Sequence, residues 1–249
     1  MELQNTCSVI SGANGGIGRE LLKKFTENGS FVFACVREKN EDFLNFVEKI
    51  NTNNSIKIVE MNLEHEESVK NAAKEIIKST KRIDCLINNA AKLIVSPFLM
   101  SEIKDVKKLF EINFFSQILF SQYIVKKMIP NKNGSIINIS SSSAIEGDEG
   151  RFAYSASKSA FSITTKVMAK ELAPFNIRCN SISPGLTNTE MLNKFTSKEN
   201  QKKKLDKSIL KRIAQPEEIV DVIVFLASKK SSYITGELIK VDGGLIWNE

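Results

Sequence analysis

The sequence contains no long hydrophobic run. None of its stretches approaches the ~20 apolar residues that a transmembrane helix requires. Residues 1–5 lack the basic segment of a signal peptide, and the apolar run that follows them is only a few residues long. These absences predict a cytoplasmic protein that has no membrane among its partners.

Cysteine and histidine are also scarce. The four cysteines, Cys7, Cys35, Cys85 and Cys179, lie in or beside apolar runs, without a CxxC spacing and without a cluster of histidines. We therefore expect buried free thiols rather than a disulfide framework or a metal site. His65 is the only histidine, and its place at an acidic helix start predicts a surface position.

Positive charge is in slight excess but is not concentrated on one face. The 35 Lys and Arg residues exceed the 29 Asp and Glu residues, which gives a net charge of +6. The lysines are spread over many predicted helices, apart from one denser run at residues 202–204. Because a nucleic-acid footprint gathers its cations on one face, this pattern predicts ordinary solvation and no nucleic-acid partner.

Short apolar runs alternate with amphipathic segments along the whole chain. Most runs are rich in Val and Ile and are apolar on both faces, as parallel strands covered by helices are. The predicted strands are residues 7–11, 31–36, 56–61, 83–88, 135–140, 178–183 and 238–241. The predicted helices are residues 18–28, 41–51, 66–80, 101–128, 154–173 and 216–227. This alternation predicts an α/β protein with a single-domain Rossmann fold, in which helices flank a doubly wound parallel sheet of about seven strands.

No linker-like segment divides the chain. We therefore expect one domain over residues 1–249. Its cofactor half would cover about residues 1–130, and its catalytic and substrate half about residues 131–249.

A glycine-rich turn follows the first predicted strand and opens the first predicted helix. Gly12, Gly16 and Gly18 follow Ser11 with the spacing Gly-x-x-x-Gly-x-Gly. Glycine lets the backbone turn and approach a pyrophosphate, while the helix N-terminus directs its N–H groups at the phosphates. A purely structural glycine turn would have the same form, so the loop by itself allows both interpretations.

Tyr154 and Lys158 form a second group of candidate residues. Their spacing of four places both side chains on one face of a helix. An ammonium group lowers the pKa of a nearby phenol from its ordinary value of about 10 toward the working range. Tyr154 would then be the general acid in carbonyl reduction and the general base in alcohol oxidation. Ser141, within the serine run 140–143, would hydrogen-bond the substrate oxygen and stabilise developing charge.

Together these segments resemble the short-chain dehydrogenase/reductase family, most closely its 3-oxoacyl-[acyl-carrier-protein] reductases, and the resemblance runs nearly from end to end. Besides the glycine-rich loop and residues 154–158, it includes Asn88-Asn89-Ala90-Ala91, Asn113, Pro184-Gly185, Ile234-Thr235-Gly236 and Val241-Asp242-Gly243-Gly244. It implies a nicotinamide cofactor and a catalytic set of Asn113, Ser141, Tyr154 and Lys158. In that set Asn113 positions Lys158 through a water molecule, and Lys158 also holds the nicotinamide ribose.

The predicted cofactor contacts extend over much of the chain. Thr187 and Thr189 are expected to meet the carboxamide or the phosphates of the cofactor. The full set is Ser11, Gly12, Asn14, Gly16, Ile17, Gly18, Arg37, Asn62, Leu63, Asn89, Ala90, Tyr154, Lys158, Pro184, Gly185, Thr187 and Thr189.

Three positions depart from the pattern of the family. Ala91 replaces the usual glycine, so the backbone should approach the cofactor less closely there. Asn62 stands where an aspartate usually contacts the adenine, and its amide keeps one acceptor and one donor without the charge. Ser11 replaces the commoner threonine but retains the hydroxyl.

The end of the second predicted strand bears on the choice of cofactor. Val36 occupies the place where an acidic residue would bind the ribose 2′-OH, and Arg37 follows it. A guanidinium can pair with a 2′-phosphate, so the sequence favours NADP(H) over NAD(H). The alternative is that Arg37 is a solvated loop residue beside Glu38.

The substrate is less well defined by the sequence. Residues 186–212 are polar and rich in lysine, which predicts a lid over the nicotinamide end. The resemblance implies a 3-oxoacyl substrate and a basic rim for an acidic carrier protein, but Phe175 replaces one rim position and only Lys132 keeps the other. A sugar, a steroid or another small hydroxy compound is the alternative substrate. A non-catalytic NADP(H)-sensing protein is the alternative from another class, although such proteins typically lack part of the catalytic set.

Two predicted helices, residues 101–128 and 154–173, carry more large apolar side chains than one sheet face needs. These side chains are Phe110, Phe114, Phe115, Phe120, Phe161 and Val167. Burying the excess against a two-fold-related copy would avoid an exposed apolar patch. The resemblance implies that these helices form a dimer contact within a homotetramer, and a dimer is the alternative assembly.

Overall fold

One parallel sheet organises the protein. The computed structural model describes residues 1–51 and 53–245. The strands are β1 (Cys7–Ser11), β2 (Phe31–Val36), β3 (Ile56–Glu60), β4 (Cys85–Asn88), β5 (Gly134–Ile139), β6 (Ile177–Pro184) and β7 (Leu238–Val241). They pair in the order β3-β2-β1-β4-β5-β6-β7, and every pairing is parallel. The prediction of a single-domain, doubly wound sheet of seven strands is confirmed.

Helices cover both faces of this sheet. In chain order they are α1 (Gly16–Glu27), α2 (Glu41–Ile50), α3 (Glu66–Ser79), α4 (Ile103–Phe110), α5 (Ser116–Met128), α6 (Ser143–Glu146), α7 (Phe152–Leu172), α8 (Glu190–Phe195), α9 (Lys198–Asp206) and α10 (Pro216–Ala227). On one face, α1 and α10 contribute Phe25 and Ile223 to the core. On the other face, α3, α5 and α7 contribute Ile76, Phe120 and Ala169. Within the described ranges, no helix has both the length and the apolar character needed to cross a membrane.

The strand order places the candidate site. β1 lies between β2 and β4, so the connections that leave these strands run in opposite directions along the sheet. Ser11 and Asn88 end β1 and β4 at the same edge. Open α/β sheets bind their ligands in the crevice that forms at such a switch point.

The helix predicted over residues 101–128 starts later and is interrupted. Between α4 and α5, Glu111–Phe115 form a π-helical turn centred on Asn113. The Asn113 side-chain oxygen accepts the Lys92 backbone N–H at 2.8 Å, and its side-chain nitrogen donates to the Lys92 carbonyl at 2.9 Å. The apolar spacing of the sequence does not reveal this tertiary contact, so the interruption of the helix was not predicted. π-Turns of this kind commonly occur at functional sites.

Two of the side chains predicted at an interface belong instead to the core. Phe120 and Phe161 are fully buried beneath their helices, so they add nothing to the outer surface. Phe115 and Val167 remain exposed, together with Ile163, which the sequence reasoning had not included.

The polar segment 186–212 is more ordered than its weak periodicity indicated. It contains α8 and α9, whose first turns are capped by the hydroxyls of Thr189 and Ser197. Upstream, the short helix α6 ends at Glu146. The four residues of α6 and the capped helices α8 and α9 are too short to show an apolar stripe. That residues 186–212 act as a lid stays a prediction.

The scarce residues lie where they were expected. All four cysteines are buried free thiols, distributed over β1, β2, β4 and β6. His65 is exposed at the start of α3.

Candidate active site

A cavity of about 560 Å³ opens along the carboxyl edge of the sheet. We call the part lined by Gly12, Gly16 and Gly18 its glycine end, and the part lined by Ser141 and Tyr154 its tyrosine end. Every predicted site residue lines this cavity except Ser11 and Asn113. Residues predicted separately from four parts of the chain are thus brought together in one space.

At the glycine end the backbone itself forms the wall. Gly12 has φ +65°, and a Cβ atom there would lie 2.6 Å from the Cα of Ala90. A Cβ on Gly18 would lie 2.2 Å from the Gly12 carbonyl oxygen. α1 begins at Gly16, and because its N-cap is Gly15, no side chain covers its first N–H groups. Uncovered helix N–H groups beside a close-packed loop are suited to the phosphates of a dinucleotide.

Ser11 lies beneath this wall rather than in it. Its buried hydroxyl donates to Gln117 Oε1 at 3.0 Å and accepts the backbone N–H groups of Asn89 and Ala90 at 3.0 and 3.1 Å. The Asn89 amide in turn donates to the Gly12 carbonyl at 2.9 Å. These bonds join the ends of β1 and β4, so in this structure Ser11 fixes the loop from below.

Arg37 and Asn62 stand beside the glycine end. Arg37 lines the cavity with a side chain that is 69% exposed, and its guanidinium lies 3.6 Å from the Glu38 carboxylate. The Asn62 Oδ1 accepts the backbone N–H of Glu64 at 3.0 Å. The acceptor that the sequence offered to an adenine is therefore engaged within the chain, and the Asn62 amide presents its donor side.

At the opposite end, Tyr154 is buried in the cavity wall in the first turn of α7. Burial raises the pKa of its phenol, while hydrogen bonding with Ser141 and the charge of Arg151 act in the opposite direction. The phenol is consequently protonated near neutral pH. Ser141 is held by Ser143, whose backbone N–H donates to its hydroxyl at 3.2 Å.

Lys158 follows Tyr154 by one helical turn and is 1% exposed. Its ammonium group donates to the Ile139 carbonyl at 2.7 Å. Burial lowers the pKa of Lys158 to about 7. A group with that pKa changes charge in the range where proton transfer to and from a phenol is efficient.

Asn113 is fully buried behind the tyrosine end and outside the cavity lining. Besides the Lys92 backbone, its amide nitrogen contacts the Ser157 hydroxyl at 3.2 Å, next to Lys158 in sequence. The structure thus links Asn113 to the helix that carries Tyr154 and Lys158.

The remaining wall comes from the end of β6 and the segment after it. A Cβ on Gly185 would lie 2.7 Å from the Cα of Asp242, so this glycine allows a close approach of two loops. Thr189 stands against Gly16, where a Cβ would lie 2.8 Å from its methyl carbon. The start of the segment 186–212 therefore contacts the start of α1.

Several lining residues were absent from the sequence-based prediction. Those that bear on the tyrosine end include Leu93, Arg151, Met191, Leu192 and Thr196. Arg151 could have been identified from the sequence, because it precedes Tyr154 by three residues and helical spacing brings such positions together. Thr196 and the apolar residues come from segments whose approach depends on the tertiary fold.

A doubly wound sheet with this crevice and these residues defines a dinucleotide-binding oxidoreductase. Residues 12–246 match the family described as Enoyl-(Acyl carrier protein) reductase. The chain belongs to the short-chain dehydrogenase/reductase family and is an oxidoreductase that acts on a CH–OH or carbonyl group.

Individual relatives agree with this assignment. A 3-oxoacyl-[acyl-carrier-protein] reductase from Aquifex aeolicus is 36% identical over 247 residues, covering 98% of this chain and 99% of the relative. An acetoacetyl-CoA reductase from an Acinetobacter species is 31% identical, with 96% of each chain covered. Among solved structures, a short chain dehydrogenase/reductase family protein has a TM-score of 0.87 and 28% identity, covering 98% of both chains.

Proposed function

We propose that this protein is an NADP(H)-dependent reductase of 3-oxoacyl compounds. The observation that carries the proposal is the tyrosine end, where Ser141, Tyr154 and Lys158 share one wall of the cavity that begins at the glycine-rich loop. The names of the relatives, which act on 3-oxoacyl groups bound to a carrier protein or to coenzyme A, supply the substrate class.

The residues that line the cavity fit a nicotinamide dinucleotide. Gly12, Gly16 and the first turn of α1 would hold its pyrophosphate, Asn62 its adenine, and Lys158 its nicotinamide ribose. When bound, this cofactor supplies or accepts the hydride.

Tyr154 handles the proton. In reduction its phenol donates a proton to the carbonyl oxygen, and in oxidation the phenolate takes that proton back. Because burial keeps the phenol protonated near neutral pH, the resting enzyme is prepared for reduction. In its charged form Lys158 stabilises the phenolate that remains after the transfer.

Ser141 orients the substrate and Asn113 supports the helix behind it. The Ser141 hydroxyl faces the cavity and would donate to the carbonyl oxygen as negative charge develops there. Of the serines 140–143, only Ser140 and Ser141 line the cavity, and the Ser140 hydroxyl contacts that of Ser162 at 2.7 Å. Ser141 is for this reason the member of the serine run assigned to the substrate.

Arg37 supports the choice of NADP(H). Its exposed guanidinium lines the glycine end, and the strand that precedes it ends in Val36, which carries no charge. A 2′-phosphate would therefore meet an exposed guanidinium, which could leave Glu38 and pair with the phosphate.

The assembly that we propose is a cytoplasmic homotetramer, with a dimer as the alternative. Phe115 is 54% exposed, and Ile163 and Val167 lie on the adjacent helix α7. The Phe114 and Phe161 rings meet edge to face at 6.3 Å and hold the two segments together. Light scattering that returns only the 27.8 kDa mass of one chain, with full activity, would contradict this assembly.

A substrate panel tests the function. The oxidation of NADPH and of NADH is followed with acetoacetyl thioesters, methyl acetoacetate, ketosugars and ketosteroids, and we expect the highest kcat/KM with NADPH and a 3-oxoacyl compound. A preference for a ketosugar or a ketosteroid would replace the substrate class. Tight cofactor binding without turnover of any carbonyl would instead support the non-catalytic, NADP(H)-sensing alternative.

A further inference from the structure

Arg151 is a largely buried cation in the wall of the tyrosine end. It is the N-cap residue of α7, three positions before Tyr154, and its side chain is only 13% exposed. Both residues line the cavity, and the charge of Arg151 acts on the pKa of the Tyr154 phenol. Its guanidinium is therefore close to the position where a substrate carbonyl meets its proton donor.

The partners of Arg151 hold it in place without cancelling its charge. One guanidinium nitrogen donates to the Thr196 hydroxyl at 2.6 Å, and another lies 3.5 Å from Asp148 Oδ2. The same carboxylate oxygen accepts the Lys204 ammonium at 2.5 Å and the Ser143 hydroxyl at 2.6 Å. One carboxylate thus serves two cations, and the shorter ion pair is the one with Lys204.

Within this ion-pair cluster two cations, Arg151 and Lys204, share one ionised carboxylate, Asp148. Burial raises the pKa of Asp148, but Lys204 and the other partners lower it overall, so Asp148 is ionised. Glu146 also faces Lys204, yet burial raises its pKa to about 7, so it carries only part of a charge near neutrality. The N-terminus of α7 adds partial positive charge, and its first turn contains no acidic residue.

Apolar side chains lie beside Arg151 in this wall, and the exposed Glu190 also lines the cavity. Leu93 and Leu192 are buried, and Met191 packs in the cluster that surrounds Tyr154. A cation in such surroundings is poorly hydrated, and its interaction with an anion is stronger than at the surface.

We propose that Arg151 binds the carboxylate of the substrate, so that the enzyme prefers a free 3-oxo acid to the neutral ester or thioester of the same acid. This inference rests on the proposed function and specifies its substrate class. In a 3-oxo acid, one carbon atom lies between the carbonyl group and the carboxylate. Tyr154, which would bind the carbonyl oxygen, and Arg151, which would bind the carboxylate, are three residues apart, or about one helical turn. Arg151 would hold the carboxylate while Ser141 and Tyr154 hold the carbonyl oxygen.

The reaction balances without a change at the carboxylate. A hydride adds to the carbonyl carbon, Tyr154 gives its proton to the carbonyl oxygen, and a proton from solvent restores the phenol. The products are the 3-hydroxy acid and the oxidised cofactor. Arg151 contributes binding energy and orientation, and it takes no part in the transfer.

The experiment compares acetoacetate with methyl acetoacetate and an acetoacetyl thioester, in the wild type and in Arg151→Gln. We expect the wild type to prefer acetoacetate, and Arg151→Gln to raise its KM by about 10–100-fold, the size of a lost charged hydrogen bond. The KM for the ester should change far less. Arg151→Lys keeps the charge and should retain part of the preference.

Thr196→Val is the matched control, because it removes the hydrogen-bond partner of Arg151 but leaves the cation. It should alter the KM values of acid and ester to a similar extent. Calorimetric binding of 3-hydroxybutyrate and of its methyl ester gives a readout that is independent of turnover, and only the acid should lose affinity in Arg151→Gln.

The outcomes separate this inference from the proposed function. If the wild type reduces the ester or thioester as well as the acid, or Arg151→Gln weakens acid and ester equally, the role of Arg151 is wrong and the proposed function stands. If no 3-oxoacyl compound is reduced, the proposed function itself fails. Should Arg151→Gln not fold, the wild-type ratio of acid to ester and the Arg151→Lys variant still decide the question.

Discussion

The two ends of the cavity differ in what forms their walls, which is backbone at one end and side chains at the other. At the glycine end, the wall is backbone held at contact distance, as between Gly12 and Ala90. At the tyrosine end, side chains from α7, α8 and α9 converge through hydrogen bonds such as that between Arg151 and Thr196. The first end leaves little room for sequence change, whereas the second can change its chemistry by the replacement of a single side chain.

The largest effect should come from the tyrosine end. Tyr154→Phe removes the transferable proton and little volume, so we expect turnover to fall by about 10²–10⁴-fold. Steady-state kinetics measures this loss, and fluorescence titration should show nearly unchanged cofactor binding. A variant that kept most of its rate would remove Tyr154 from the acid–base assignment.

A backbone test at the glycine end should give the next largest effect. Gly12→Ala places a Cβ against Ala90 at a residue with φ +65°, and we expect the free energy of unfolding to fall by about 2–4 kcal/mol. Gly147 has the same φ but nothing within 4 Å of the added atom. Gly147→Ala therefore adds no close contact and should cost about 1–3 kcal/mol, the strain of a side chain at φ 65° and ψ 126°. Equal losses in denaturant titrations would contradict the close contact.

Arg37→Asp tests the one part of the glycine end that depends on a side chain. The substitution puts a negative charge where a 2′-phosphate would bind, so the preference for NADPH over NADH should fall by about 10–100-fold. The ratio of kcat/KM for the two cofactors measures it. If the wild type already prefers NADH, Arg37 does not select the cofactor.

The smallest effect concerns stability and pH. Lys158 has its pKa lowered to about 7 by burial, so unfolding takes up a proton between about pH 7 and the ordinary value near 10. Below that window the buried charge is a cost, and the contribution of Lys158 to stability improves as pH rises through it. Lys158→Met in the cofactor-free protein should therefore be more stable than the wild type at pH 7, where the buried ammonium group is a cost. The gain should shrink toward pH 10 in urea titrations, and a gain independent of pH would argue against the buried charge.

The sequence contained enough information for the sheet, because the inner strands β1, β2, β4, β5 and β6 are buried on both faces along almost their whole length. The glycine end was equally predictable, since Gly12, Gly16 and Gly18 act through their own backbone. Tyr154 and Lys158 could be found because one helical turn relates them.

Features that depend on distant partners were missed. The π-turn follows from the contact of Asn113 with Lys92, and Arg151 meets Thr196 across 45 residues. Neither pair leaves a periodic pattern in the chain. The caps of α8 and α9 at Thr189 and Ser197 were present in the sequence, but the helices were too short for the apolar spacing that would have drawn attention to them.

The four buried cysteines give the sheet a set of built-in reporters. Cys7, Cys35, Cys85 and Cys179 place one thiol in each of four strands, and burial raises the pKa of Cys7 to about 11 and that of Cys179 to about 12. An alkylating reagent reacts with the thiolate, so each position becomes reactive only when its strand is exposed to solvent. The rate of alkylation at each cysteine, read by mass spectrometry, would show which strands open separately and which open only with the whole sheet.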